Sequence, residues 1–564
     1  MSIENVTSKF QIDINTFAFN RHSINNFQES AEDLWPIVYF IEDSKKQEAY
    51  VGESTDAYRR MTNHLQNPIR KDLSKVHLIS SKSFNKSATL DIESRLIKYI
   101  AADGHFKLQN GNAGLTVHNY FQKDKYEDAF EQIWKKLKDK KLVKNNLKTI
   151  INSDLFKYSP YKSLTHDQLD SVIKIVENIK IKKEGALFII GGAGTGKTVL
   201  GTYLTKLLKS DLSAFDFDNL DDNYINLLKI IQEIYKQEQN LEIGFVVPQQ
   251  SLRQTLKKVF KYVKGLSSKM VISANDVVKK KDGYDLIIVD EAHRLRRRRN
   301  LPGGFAYKAF DNTCKKLSLN PETTDELDWI LKCSKQQILF YDSTQSIKPT
   351  DIKSEKFSSL INQKNSIKLK SQLRVLGGND YINYVNDILL CKNPQTINKW
   401  GKYNLKLHHN FIDFVNDIKN LNSQHELCRM ISGYAWKWET KLNKQNHDIE
   451  IEGIKLKWNT TDVDWINKPS SIEEVGCIHT SQGYDLNYGG IIFGREIDYD
   501  PIKNEIIINK DLYFDVNGKK SIQSEDELKN YIINIYKTMM YRGIKGTSVY
   551  AYNKNLRDYF NRFF

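Results

Sequence analysis

Cysteine is scarce in this chain. Its five residues, Cys314, Cys333, Cys391, Cys428 and Cys477, lie far apart and form no C-x-x-C pair. That spacing excludes a zinc ribbon built on paired thiolates and a disulfide framework, and reads as reduced, mostly buried thiols of a cytoplasmic protein. Long apolar runs are absent too, none approaching the roughly 18 residues a membrane span requires. The opening residues, MSIENVTSKF, lack a basic start followed by an apolar core, so no secretory leader is expected. No long Gly/Ser linker occurs, which predicts semi-rigid coupling between domains. Acidic charge is in deficit: 84 Lys and Arg against 69 Asp and Glu leave +15. Such a balance favours a polyanionic partner such as nucleic acid, although lysine-rich surfaces also simply keep proteins soluble. At 564 residues the chain exceeds one ordinary core, and two to four domains are expected.

The strongest local signal is Gly185 to Leu200, GALFIIGGAGTGKTVL. An apolar run, Ala186 to Ile190, ends in a glycine-rich turn, and a helix-forming stretch follows Lys197. The turn (Gly191, Gly192, Ala193, Gly194, Thr195, Gly196, Lys197, Thr198) matches G-x-x-x-x-G-K-[ST]. Glycines let backbone N–H groups close around phosphate oxygens in conformations a Cβ forbids. Lys197 is placed to neutralise the β/γ-phosphates and Thr198 to hold Mg²⁺, and the following helix N-terminus adds partial positive charge. A nucleotide, expected to be ATP, is therefore predicted at this loop.

Further motifs lie in a consistent order around it. Leu164 to Gln168 starts a helix with Thr165 as N-cap, and the Gln168 amide can read adenine through one donor and one acceptor. A helical, acidic insertion spans Asp211 to Asn240. A strand at Ile243 to Val247 leads into Pro248-Gln249-Gln250-Ser251 and a helix with Arg253, Lys257 and Lys258, suited to backbone phosphates or simply a solvated basic face. In YDLIIVDEAH the strand delivers Asp290 to its C-terminal edge, where it can hold Mg²⁺ through water, and Glu291 can polarise the attacking water. The run Arg294 to Arg299, five arginines around Leu295, reads equally as a solvated loop or a nucleic-acid contact. Gln336 to Tyr341 is a strand that ends before Gln345, which can sense the γ-phosphate. Arg374 follows the alternating stretch IKLKSQLR, and Arg542 precedes a closing strand, both in positions for arginine fingers on the transferring phosphoryl. Four tryptophans, Trp436, Trp438, Trp458 and Trp465, can stack bases, but core packing is the preferred reading.

Upstream, Leu34 to Phe40 and Glu48 to Val51 read as a hairpin around the turn EDSKKQ. Asp56 to Leu65 is helical with Ser54 or Thr55 as cap, Val76 to Ser80 a third strand, and Ser87 to Ala102 a second helix. Asp124 to Lys141 is an amphipathic connector helix, after which Asn145 to Tyr161 lacks periodicity and ends at Ser159-Pro160.

Two resemblances follow. Ile37-Val38-Tyr39 and Tyr50-Val51-Gly52, then Arg60, His64, Glu93 and Asn110 (or Asn112), resemble the GIY-YIG nuclease family over about the first 120 residues, with Ile37 in place of the family's first glycine. That resemblance implies a single site: Glu93 binding one divalent metal (Mg²⁺ or Mn²⁺), Arg60 on the scissile phosphate, and Tyr39, Tyr50 or His64 activating water. From about residue 160 to 555 the ordered motifs resemble superfamily 1 helicases, and Gln372-Leu373-Arg374, SGYAWKW and CIHTSQGYD resemble the bacterial branch related to the Schlafen helicase-like domain. This implies two RecA-like domains around ATP, with Gln482 and Gly483 at the nucleotide and Asp485 where related proteins hold ribose.

The expected fold class is α/β, a small GIY-YIG domain followed by two RecA-like parallel-sheet domains. Boundaries are expected at 1–122 for the nuclease-like domain, 123–160 for a helical connector, 161–350 for the first RecA-like domain and 351–564 for the second. The expected function is an ATP-dependent nuclease–translocase acting on DNA, with RNA open, in repair, restriction or phage defence. The rivals are an ATP-gated nuclease switch and a DNA-structure-binding ATPase with an inactive nuclease fold. A homo-oligomer or a defence-system partner is left open.

Overall fold

Among the described residues, three large hydrogen-bonded sheets and a two-stranded ribbon carry the strands, and each large sheet draws its strands from a different stretch of sequence. The computed structural model describes residues 10–25, 34–111, 120–162, 164–181, 184–211, 215, 222–238, 240–301, 303–345, 350–395, 400–441, 443–461, 465–481, 484–519, 522 and 524–564. Contacts divide the chain into two compact units: residues 1–183 with 199–241 and 255–270, and residues 184–198 with 242–254 and 271–564.

The first unit contains a five-stranded sheet of β1 (Asp13–Ala18), β2 (Ile37–Asp43), β3 (Glu48–Ser54), β4 (Lys75–Ser80) and β5 (Lys107–Leu108), in the order β1-β4-β2-β3-β5. The hairpin β2–β3 is antiparallel and pairs Tyr39 with Gly52. A Cβ at Gly52 would sit 2.2 Å from the Tyr39 hydroxyl, so this position admits only glycine while Tyr39 keeps its place. The hairpin starts and ends three residues later than the apolar run suggested, because Leu34 and Trp35 are exposed and burial begins at Ile37. The first helix, Ala57–Gln66, is capped by Asp56, whose carboxylate accepts from Arg59 N–H, and not by Ser54 or Thr55. The second, Lys86–Asp103, is capped by Asn85 and ends at Gly104 in the left-handed conformation. β1 has no counterpart among the expected strands; its alternation is weak and it forms by pairing with β4. The connector helix runs Lys123–Asp139, and two short helices, Leu147–Asn152 and Asp154–Lys157, occupy the stretch that reads as aperiodic. Helix His166–Lys180 packs on Asp222–Gln237, the helical part of the acidic insertion.

The second unit contains two parallel sheets. The first is formed by β6 (Gly185–Ile190), β7 (Ile243–Val246), β8 (Val271–Ile272), β9 (Tyr284–Val289), β10 (Ser334–Tyr341) and β11 (Ser366–Lys368), all parallel, in the order β11-β6-β10-β9-β7-β8. β9 and β10 are fully buried over most of their length, as continuous apolar runs in a parallel sheet should be. The second sheet takes β12 (Asn404–His408), β13 (Cys428–Ser432), β14 (Ile449–Ile451), β15 (Ile454–Trp458), β16 (Glu474–Cys477), β17 (Leu486–Phe493) and β20 (Gly543–Ala551), ordered β12-β20-β17-β13-β16-β15-β14. Only β14, the hairpin partner of β15, runs antiparallel. A separate two-stranded ribbon joins β18 (Ile497–Asp500) to β19 (Glu505–Ile508). Among the described residues no helix is long and apolar enough to cross a membrane.

Candidate active sites

The nuclease-type residues converge. Tyr39 and Tyr50 come from the hairpin, their ring centres 6.3 Å apart, and both are buried. The Tyr39 hydroxyl lies 2.7 Å from His64 Nε2 and accepts from Arg60 Nε at 3.1 Å. Spacing of four residues on one helix brings Arg60 and His64 to the same phenol. Burial, then the neighbouring Tyr50, push the Tyr39 phenol above its ordinary range, and Arg60 opposes them. Burial, reinforced by Arg70 and Arg60, holds His64 well below the usual imidazole value, so it is neutral near pH 7. Arg70 is a member that sequence reasoning missed. Its guanidinium sits 3.8 Å above the Tyr50 ring centre and 3.1 Å from His64 Nδ1. Only its basic character ten residues past Arg60, beyond the end of that helix, hinted at it.

Glu93 lies at the same end of the domain and makes no hydrogen bond among the described residues. Burial, followed by the charge of Glu53, pushes its carboxyl up to about 8, with Arg60 and Lys86 opposing. Glu53, from β3, was also missed; it is buried and bonded to Lys86 and Thr89. Two neighbouring carboxylates without enough cationic charge between them fit a divalent metal at Glu93. Asn110 sits at the edge of the group and clamps β3: its amide donates to Val51 O at 2.8 Å and accepts from Val51 N–H at 3.1 Å. Asn112 lies outside the described residues.

The phosphate loop follows β6. Gly194 and Gly196 have φ of +79° and +80°, values L side chains rarely adopt. Lys197 Nζ donates to Gly191 O and Gly192 O at 2.7 and 2.9 Å and lies 3.4 Å from the Asp342 carboxylate. Thr195 donates to Gly192 O at 3.0 Å, tightening the turn. A Cβ at Gly194 would lie 2.1 Å from Gln372 Oε1, and Leu373 N–H donates to Gly194 O. The stretch after β11 thus braces the loop, and Gln372 does so with Ala193 as well.

Asp290, at the end of β9, is fully buried and accepts from Thr198 Oγ1 at 2.7 Å. Its Oδ1 has no hydrogen-bond partner. A buried, unpaired carboxylate oxygen beside a threonine hydroxyl fits a divalent cation. Burial, then the adjacent Glu291, push the Asp290 carboxyl above its ordinary value. Glu291 adopts left-handed backbone, φ +55°, and its carboxylate lies 2.8 Å from His293 Nε2. Although burial opposes it, the charges of His293, Lys197 and Arg542 keep Glu291 ionised. His293 is a further residue that the D-E pair alone did not single out. Gln345 donates to Asp342 at 2.5 Å. Arg542 is buried and donates to Tyr484 O at 3.3 Å, and Arg374 Nε pairs with Asp485 at 2.5 Å. Gln482 and Gly483 lie outside the described residues, as does the His479 side chain. In the other unit, Gln168 is buried in a capping box: its amide oxygen accepts from Thr165 N–H at 3.2 Å and its own N–H donates to Thr165 Oγ1.

The arginine run is largely committed inside the protein. Arg294 pairs with buried Asp351, Arg296 takes Glu326 through its guanidinium and backbone N–H, and Arg298 joins Asp311 and Glu322. Carboxylates 13 to 57 positions away make these pairs, so neither a solvated loop nor a bare nucleic-acid contact describes those three. Arg253 donates to Val247 O and Pro248 O at its own helix start.

A phosphate loop beside a strand-end Asp-Glu pair on a parallel sheet, with a second parallel sheet following, defines a helicase-like ATP hydrolase. The model of the Schlafen group 3 DNA/RNA helicase domain matches residues 184–553, about two thirds of the chain, and the protein belongs to that family. The GIY-YIG catalytic domain model matches residues 36–146. The enzyme is therefore a nuclease domain joined to a Schlafen-type helicase-like ATPase. An uncharacterized protein of Saccharomyces cerevisiae is 28% identical over 415 residues, which are 67% of this chain and 84% of that one. Among solved structures, Pif1 helicase from Candida albicans (TM-score 0.24, 10% identity, 71% of this chain and 99% of that one) and Bacteroides Pif1 bound to ssDNA (0.25, 10%, 70% and 94%) are similar at a level that carries no argument about function.

Proposed function

We propose that the protein is an ATP-dependent nuclease–translocase acting on nucleic acid, with DNA as the preferred substrate, in repair, restriction or phage defence. The single observation that supports this best is the presence, in one chain, of both the Tyr39–His64–Arg60 cluster and the Lys197–Thr198–Asp290 loop site. The division at 122, 160 and 350 is proposed with it, as is a cytoplasmic location.

At the nuclease site, Arg60 would hold the scissile phosphate and Tyr39 would take the proton of the attacking water. Two donors on the Tyr39 oxygen favour a phenolate there, whereas burial disfavours it. A divalent ion, Mg²⁺ or Mn²⁺ held by Glu93, would supply positive charge near the leaving oxygen. At the ATPase site the loop N–H groups and Lys197 would bind ATP phosphates, Lys197 exchanging its loop carbonyls for them. Thr198 and Asp290 would hold Mg²⁺, and Glu291, kept ionised by His293, would orient water. Arg374 and Arg542 are the fingers, Gln345 the sensor, and Gln168, Gln482 and Gly483 complete the nucleotide contacts.

The test is incubation of labelled duplex, forked and single-stranded DNA with Mg²⁺, with and without ATP. Lys197→Ala is expected to abolish hydrolysis and Glu93→Ala to abolish cleavage. If both variants match wild type, the reading fails.

A further inference from the structure

The four tryptophans do not act as one cluster. Trp436, Trp458 and Trp465 are buried in the core, whereas Trp438 is only half-buried and lines a groove of about 810 Å³. Lys441, Lys444, His447, Lys455 and Lys457 line it as well. The groove lies at the amino-terminal end of β16, against the β14–β15 hairpin, whereas the short helix Ile478–Ser481 follows the opposite end of that strand.

Its walls are tied down from within. Buried Asp448 accepts from Thr440 N–H and Oγ1, at 2.8 and 2.7 Å, and from Trp458 N–H at 2.7 Å. That fastens the loop carrying Lys441 and Lys444 to the sheet edge. Lys457 donates to Lys444 O at 2.8 Å, and Lys441 Nζ stands 5.4 Å from the Trp438 ring centre. The groove's two carboxylates are already engaged. Glu474 accepts from Thr460, the Trp465 indole and Lys468, and Glu473 pairs with Lys419. Among the described residues neither Lys441 nor Lys444 pairs with a carboxylate.

A half-buried indole, with the Lys441 ammonium over its ring inside a positively charged groove, suits a ligand with alternating flat rings and anions, Lys441 swinging from the ring to a phosphate as a base takes its place. We propose that this groove holds single-stranded nucleic acid, one unstacked base on Trp438 and adjacent phosphates on Lys441 and Lys444. Stacking on an aromatic face with lysines along the backbone is sequence-tolerant, because every base has a π-face. A duplex keeps its bases stacked and offers no face to Trp438. An acidic peptide would satisfy the lysines but leave the indole plane unused. The inference rests on the nucleic-acid reading above and adds a second strand contact away from the ATPase motifs.

The test is the affinity of the full-length protein for a fluorescein-labelled oligo(dT) 15-mer and an equal-length duplex, in EDTA and without nucleotide, across a salt series. Trp438→Ala is expected to weaken oligo(dT) binding about 5- to 100-fold, Trp438→Phe to keep most of it, and duplex binding to change little. Lys441→Glu with Lys444→Glu should lower the salt slope by about 1.4, at about 0.7 per phosphate. Basal ATPase should be unchanged in all of them. Wild-type binding with unaltered affinity and slope in the variants overturns the groove while leaving the proposed function standing. No nucleic-acid binding by wild type overturns both. Loss of polyglutamate binding, with oligo(dT) binding unaltered, in the Lys441→Glu and Lys444→Glu double variant makes the groove a peptide site and overturns the inference.

Discussion

Arg70 lies 3.1 Å from Nδ1 of His64, and a guanidinium can only donate, so the imidazole proton resides on Nε2. His64 therefore donates to the Tyr39 oxygen, 2.7 Å away, and cannot itself take a proton from water. Arg60 donates to the same oxygen, which leaves Tyr39 as the group whose charge the site controls. Arg70 acts through His64 and is a positioning residue.

Replacing Arg70 with Ala should lower DNA nicking by about 100-fold, within the range of a misplaced acid–base group. Arg70→Lys should recover part of the loss, since an ammonium also donates to Nδ1. Nitrogen chemical shifts of His64 check the cause: one tautomer in wild type, a mixture in Arg70→Ala. An unchanged tautomer with full nicking would remove Arg70 from the site.

Glu93 gives a pH dependence whose sign can be worked out. Its carboxyl titrates at about 8 in the folded protein, against about 4.5 when exposed, because burial and then Glu53 disfavour the charge. Between those values the folded state binds more protons than the unfolded one, so stability falls as pH rises through the window. In EDTA, Glu93→Gln should match wild type in unfolding free energy at pH 4.5 and exceed it at pH 8.5, by an amount on the order of a few kcal/mol. Divalent metal should stabilise wild type at pH 8.5 by more than it stabilises Glu93→Gln, whose remaining response belongs to the Thr198–Asp290 site. Parallel melting curves at both pH values would contradict this.

Arg374 and Asp485 form an ion pair that an ATP phosphate would have to break. Both side chains are partly exposed, so the pair is worth about 0.2–1 kcal/mol. Asp485→Asn should lower the KM for ATP about 2- to 5-fold, and the effect should vanish in an Arg374→Ala background. A raised KM in Asp485→Asn would instead give Asp485 the ribose role that the resemblance implies.

Arg296 covers Glu326, a carboxylate with almost no exposure of its own. Arg296→Ala should cost about 1–3 kcal/mol in urea unfolding, reduced from the fully buried case because the guanidinium is about one third exposed. Nucleic-acid affinity should change by less than about 2-fold. A large affinity loss at full stability would return this arginine to the nucleic-acid surface.

What the sequence determined by itself is what covalent order and short-range periodicity encode. The phosphate loop, its strand and helix, the strand that ends at Asp290, the Thr165 cap and the Arg60–His64 pairing are set by residues within a few positions of one another. Parallel strands declare themselves as apolar runs because both faces are covered, which is why β6, β9, β10 and β17 were legible. Tertiary structure decided the contacts between residues distant in sequence, to which local patterns are blind. It alone paired Arg294, Arg296 and Arg298 with remote carboxylates, set Asn110 to clamping Val51 and brought Gln372 onto Gly194. It also separated Trp438 from the three other tryptophans of that region, because only burial distinguishes an indole packed in the core from one that lines a groove.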